Sequence, residues 1–175
     1  MLFSRYKDVR IGKFENALHL NTTLTETTCE GWWNYRPAQA TPLFFHRDNG
    51  EIIQPEGFIT DLATIPKWLR LGRLLQSDSI PAVALVHDWV VRQNNCDLGT
   101  RSFEDSILVQ QEALKTWMET HPRDRSMALF HLSRLALLSN RSKRGWCYKF
   151  QNCPPTLEDV LEARRAISRG FFQRR

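Results

Sequence analysis

His87 and Asp88 stand side by side in AVALVHDWVV, residues 82–91, a run that is otherwise wholly apolar. Imidazoles and carboxylates are the side chains that move protons and hold hard cations, so chemistry is sought here first. Placed on a helix at 100° per residue, Ile80, Ala84 and Val91 fall near one direction, with Val83 and Val90 to one side. Trp89 and Ala82 lie opposite, and Leu85 and Val86 fall between. Apolar residues surround the axis, which describes a central helix buried on most sides. An unpaired carboxylate in such a helix costs several kcal/mol, so His87 and Asp88 must be hydrogen-bonded or bound to something. Adjacent residues point about 100° apart, so the two aim at different partners and imply a polar pocket.

Two further carboxylates are candidates for that pocket. Asp61 lies in GFITDLATIPKWLR, residues 57–70, in a loop leaving a predicted strand, followed by Thr64 and a helix that opens at Pro66. Asp105 lies in RSFEDSILV, in the first turn of the next predicted helix, opposite a stripe of Phe103, Ile107, Leu114 and Trp117. The purely structural alternative is a buried polar network of Asp61, His87, Asp88 and Asp105, with Asp61 capping the helix at Pro66.

The elements that must position these residues read in two halves. ALHLNTTLTETT alternates through Leu18, Leu20, Thr22 and Leu24 as a half-buried strand. TPLFFHRDNGEIIQPEGF holds two β-prone runs joined through Asp48-Asn49-Gly50, a hairpin signal. Trp32, Trp33 and Tyr35 are placed to cover one face of the small sheet. Beyond Pro66 the pattern turns helical: a short segment in PKWLRLGRLL, then Ile80–Gln93, Ser102–Thr120 with Ser102 as N-cap, Arg125–Ser139, and Thr156–Ser168, where Thr156 and Asp159 suggest a capping box. The expected class is α+β, a small N-terminal antiparallel sheet followed by a helical bundle with a buried central helix. At 175 residues one domain is expected, β-rich over 1–60 and helical over 66–155, with a basic C-terminal helix and tail over 156–175.

Composition narrows the possibilities. No apolar run approaches the roughly 18 residues of a membrane span, and the N-terminus is charged throughout, so a chain that is not transmembrane is expected. The four cysteines, Cys29, Cys96, Cys147 and Cys153, match no zinc spacing and are expected to be reduced and structural. Residues 1–120 carry 12 Lys/Arg against 15 Asp/Glu, whereas residues 121–175 carry 12 against 4. Through Arg164, Arg165, Arg169, Arg174 and Arg175 the C-terminal part could meet an acidic protein surface or nucleic acid. Phosphate-binding and dinucleotide glycine motifs are absent, as is a serine elbow. His19 and His46 fall in predicted strands, which disfavours a phosphohydrolase built on His…His-Asp…Asp, and His121 and His131 suggest no joint site.

GFITDLATIP, VHDWVV and SFEDSILVQQEAL, in this order and spacing, resemble the phage and prophage proteins catalogued as domain of unknown function 1353, over about residues 50–118. Thr64 stands where that family commonly has Ser, and Val91 where an aromatic often follows HD. The resemblance implies a viral origin, a place in the virion or host cytoplasm, and other phage proteins as partners. The HD helix with an Asp on the next helix is also similar, more loosely, to secretory phospholipases. That resemblance implies His87 as general base, Asp105 as the residue orienting it, Asp88 as a ligand of calcium or another divalent cation, and Asp61 in place of the missing glycine-rich loop as a second ligand. Two roles are therefore expected as alternatives: a virion, tail or assembly component, or a metal-assisted hydrolase of a lipid or related ester.

Overall fold

Among the described residues, six short strands, β1 (Lys13–Glu15), β2 (Leu24–Glu26), β3 (Trp33–Tyr35), β4 (Phe44–His46), β5 (Ile52–Ile53) and β6 (Phe58–Thr60), lie in the N-terminal part. They are seen in a computed structural model that describes residues 5–17, 24–27, 32–62 and 80–169. The expected helix over 66–75, strand positions 18–23, Cys29, Thr64, Arg174 and Arg175 lie outside the described residues. The α+β class holds, with one refinement: the strands form two antiparallel sheets, β1-β4-β5 and β2-β3-β6, rather than one. The Asp48-Asn49-Gly50 turn joins β4 to β5, with Gly50 at φ +87° and its amide donating to the Arg47 carbonyl at 3.1 Å. A left-handed backbone there favours glycine.

Phe45 carries the first sheet into the core. It pairs across the ladder with Phe14 on one side and Ile53 on the other, is fully buried, and tilts against the Phe14 ring at 4.8 Å. Cross-strand aromatic and β-branched pairs of this kind are the stabilising unit of a small sheet. Gly12 precedes β1 where the backbone passes so close to β4 that a β-carbon would sit 2.2 Å from the His46 carbonyl oxygen. Its amide donates to Thr116 Oγ1 at 2.8 Å, which anchors the strand to the helical part.

Five α-helices follow among the described residues: α1 (Ile80–Asn95), α2 (Phe103–Thr120), α3 (Met127–Leu137), α4 (Asn140–Cys147) and α5 (Leu157–Arg169). Ser102 caps α2 through the Asp105 amide at 3.1 Å, and Thr156 and Asp159 cap α5 reciprocally. In α1 every residue from Ala82 to His87 is buried, as expected of a central helix. It packs on α2, where twelve of eighteen residues are buried, among them the polar Gln110, Gln111, Glu112, Lys115 and Thr116. The all-round burial of α2 extends well beyond its apolar stripe, because its polar side chains bind the backbone and side chains of the N-terminal segment. Lys115 Nζ donates to the carbonyls of Val9 at 2.6 Å and Tyr6 at 2.9 Å, satisfying an ammonium that burial would otherwise penalise. No helix among the described residues is long and apolar enough to cross a membrane.

The cysteine expectation is corrected. Cys96 and Cys153 form a disulfide, with Cα atoms 5.8 Å apart and a sequence separation of 57, while Cys147 is free and exposed. Local spacing rules cannot see a pair that the fold itself brings together. Asn94 and Asn95, at the end of α1, hold the carbonyls of Gly145, Trp146 and Tyr148, and the Phe150 amide donates to Asn95. The segment bearing Cys153 is thereby laid beside Cys96.

Arg47, the residue entering the β4–β5 turn, ties the first sheet to α2. Its Nε donates to Glu112 Oε2 at 2.6 Å and its Nη2 to Glu112 Oε1 at 3.2 Å. Nη2 and Nη1 also reach the two Asp105 oxygens at 3.1 and 3.2 Å, and Nη1 reaches Glu51 at 2.8 Å. Arg101 adds bonds to Glu51 and Asp105, so two cations hold three carboxylates. Burial works against the Arg47 charge, but the bonds to Glu112, Asp105 and Glu51 outweigh it and raise its pKa. Hydrogen bonds from Arg101, helped by Arg47 and opposed by burial, lower the Glu51 carboxyl from 4.5 to about 2.

Only 4% of the Arg47 side chain and 6% of Glu112 are exposed, so removing one partner strands the other. Arg47→Met is expected to destabilise by about 3–5 kcal/mol in urea unfolding, and Arg47→Met with Glu112→Leu to recover much of that loss. The Glu51 shift has a sign that can be read from pH. A carboxyl that titrates lower when folded contributes fully above its unfolded pKa and loses that contribution as pH falls through the folded one. The urea midpoint should therefore drop between about pH 5 and pH 2, and Glu51→Gln should flatten that drop.

Candidate functional site

Thr60 closes β6 and is almost fully buried. Its hydroxyl donates to Asp88 Oδ2 at 2.5 Å and accepts from the Leu62 amide at 2.9 Å. Leu62 sits at φ +49°, a left-handed conformation that costs a side chain bearing a β-carbon roughly 1–2 kcal/mol, and the Thr60 hydroxyl holds it there. One threonine thus fixes both the HD helix and the loop that carries Asp61.

His87 points into the core with 9% of its side chain exposed. Its Nδ1 lies 3.5 Å from Asp88 Oδ1 and has no hydrogen-bond partner among the described residues. Asp88 is half-buried and lies between this imidazole and the Thr60 hydroxyl. One turn further along α1, Arg92 donates from Nη2 to the Ile59 carbonyl at 2.8 Å, and its guanidinium lies 4.9 Å from the Phe150 ring and 5.9 Å from Phe58. Burial lowers the Arg92 pKa from 12.5 to about 10, with the charge of Asp88 working the other way. Asp61 pairs with Arg164 Nη1 at 3.2 Å, and that guanidinium lies over the Trp32 ring at 5.3 Å. The loop after β6 is therefore clamped between α1 and α5.

The structure brings His87 and Asp88 together and sets Asp61 on the adjoining loop. Asp105 is engaged elsewhere: its carboxylate accepts hydrogen bonds from Arg47 and Arg101, and His87 is not among its partners. Asp88 and Asp61 likewise hold different partners, Thr60 and Arg164. Among the described residues no group of three or more His, Cys, Asp or Glu is placed to hold a metal ion. Of the basic residues at the C-terminus, Arg164 faces inward to Asp61, while Arg165 and Arg169 are exposed. Sequence reasoning missed Thr60 and Arg92. Both left signals: Thr60 abuts Asp61, and Arg92 stands at i+4 from Asp88, where an arginine can share its surroundings.

The bond from Thr60 to Asp88 makes a direct prediction. Thr60→Val removes the donor at nearly constant shape and leaves the Asp88 carboxylate short of a partner, at a cost of about 1–3 kcal/mol in chemical unfolding. Thr60→Ser keeps the hydroxyl and should lose less.

Comparison with known proteins places this geometry in a family. No match is found among curated proteins or among solved structures. The span from residue 40 to residue 129 matches the family described as Protein of unknown function (DUF1353), and it contains the whole Arg47 network together with Thr60, Asp61, His87 and Asp88. That span is more than half of the chain, and the chain belongs to this family.

Proposed function

We propose that the chain is a phage-encoded structural or assembly protein, a virion or tail component or a partner of one, and that its HD helix serves the architecture of the fold. The observation that carries this reading is the fate of Asp105. The residue that would orient a His87 base is held by Arg47 and Arg101, so its carboxylate stabilises the join between sheet and α2. Asp61 and Asp88 are each bound to side chains of other elements, which suits a polar network that locks loop, α1 and α5 in register. The viral setting rests on the resemblance of GFITDLATIP, VHDWVV and SFEDSILVQQEAL to phage and prophage proteins.

One observation favours a second reading, a hydrolase of a lipid or related ester assisted by calcium or another divalent cation. His87 Nδ1 is buried, lacks a hydrogen-bond partner among the described residues, and faces a carboxylate 3.5 Å away, an arrangement that a general base could use. In that reading Asp88 and Asp61 would hold the cation on the loop side of α1.

Thermal melting separates the two. Wild type and Asp88→Asn are melted with and without calcium, magnesium, manganese and zinc. The structural reading expects Asp88→Asn to melt lower and no metal to raise either midpoint. A metal present at 100 times its Kd would stabilise by about 2.7 kcal/mol. Such a rise in wild type, lost in Asp88→Asn, would overturn the structural reading in favour of the hydrolase.

A further inference from the structure

The N-terminal 3-10 turn Tyr6–Asp8 and the start of α3 border an open cleft of about 620 Å³. Arg5, Lys7, Arg125 and Arg134 line it together with His131 and Tyr6, and no carboxylate is among its lining residues. Asp8 accepts from the Arg5 amide, and Glu119 accepts from the Tyr6 hydroxyl at 2.5 Å and lies 3.6 Å from Arg125. Four cations gathered around a concavity repel one another and focus a positive potential into it.

The cleft is rigidly built. Lys115 binds the Tyr6 carbonyl from below, and its ammonium lies 4.9 Å from the Tyr6 ring. Arg125 lies 5.4 Å from the same ring, which also packs edge-on against Phe130 at 4.9 Å. The Tyr6 ring is a pedestal for two cations and offers no stacking platform to a base. Above it, Arg5, Lys7 and Arg125 are exposed.

We propose that this cleft binds the phosphodiester backbone of nucleic acid, without reading its sequence. Guanidinium groups match phosphate oxygens in pairs, and three of the four cations are arginines, so the cleft suits contacts to phosphate, which carry no sequence information. The excess of 12 Lys/Arg over 4 Asp/Glu in residues 121–175 would draw a polyanion towards this end of the protein. This site is separate from the HD helix and from the basic C-terminal helix, and it stands whether or not the chain is an enzyme.

The test is fluorescence anisotropy with a labelled oligothymidylate, titrated with the full chain over a series of salt concentrations. Arg5→Gln with Lys7→Gln removes two exposed cations from the cleft, and Arg165→Gln with Arg169→Gln removes two exposed cations from α5. The cleft variant is expected to weaken binding and to reduce the slope of log K against log salt by about 0.7 per cation removed. The α5 variant should bind as wild type does, and an oligomer of unrelated base sequence should bind equally well. Equal losses in both variants would show binding by overall charge and overturn the site. Absence of binding at low salt, or displacement of the oligonucleotide by polyglutamate of equal charge at equal concentration, would overturn the assignment to nucleic acid, the latter in favour of an acidic protein surface.

Discussion

A single buried guanidinium, that of Arg47, ties the first sheet to α2. All five N–H donors of Arg47 are directed at carboxylates, in paired bonds to Glu112 and to Asp105 and one to Glu51. Glu112 and Asp105 both stand on α2, two turns apart, so the hairpin residue grips that helix at two heights. The geometry is demanding because the charges are buried: a buried ion pair contributes little unless nearly every donor and acceptor is matched, and losing one partner is far costlier than never having the pair. Two further joins, the Gly12 amide on Thr116 and the Lys115 ammonium on the Val9 and Tyr6 carbonyls, use the same face of α2, while β6 is joined to α1 through Thr60 and Arg92.

The candidate site must be read within that constraint. Because Asp105 belongs to the Arg47 network, the HD helix is left with the partners on its other side: Thr60, the left-handed turn at Leu62, and the Asp61–Arg164 pair that brings in α5. His87 and Asp88 therefore form a local pair at the junction of β6, α1 and α5 rather than the centre of a relay running to α2. The matched family span includes both the network, on β4 and α2, and the pair, on α1.

Much of this was legible in the sequence. The Asn49-Gly50 turn, the all-apolar surroundings of His87 and Asp88, the Ser102 cap and the Thr156–Asp159 box are local signals, and local physics decides them. What was not legible depends on contacts distant in the chain. Arg47, standing before a turn, reads as a solvated charge until α2 supplies carboxylates 58 and 65 residues away. Cys96 and Cys153 pair only because the asparagines ending α1 capture the Gly145–Tyr148 carbonyls. α4 escaped notice because NRSKRGWC is largely polar and basic and only Trp146 is buried in it. The sequence sets Asp105 opposite the apolar stripe of its helix, but periodicity gives a direction and not the identity of what waits there.

Double-mutant cycles on Asp105 test the central claim most directly. Stability is measured by urea unfolding for Asp105→Asn, Arg47→Met, His87→Ala and the two pairs that include Asp105→Asn. Residues in one ion network couple by about 0.5–3 kcal/mol, whereas residues without shared partners add to within about 0.5 kcal/mol. The account predicts strong coupling of Asp105 to Arg47 and additivity of Asp105 with His87. Additivity with Arg47 and strong coupling to His87 would contradict it, and would restore Asp105 as the partner of the imidazole.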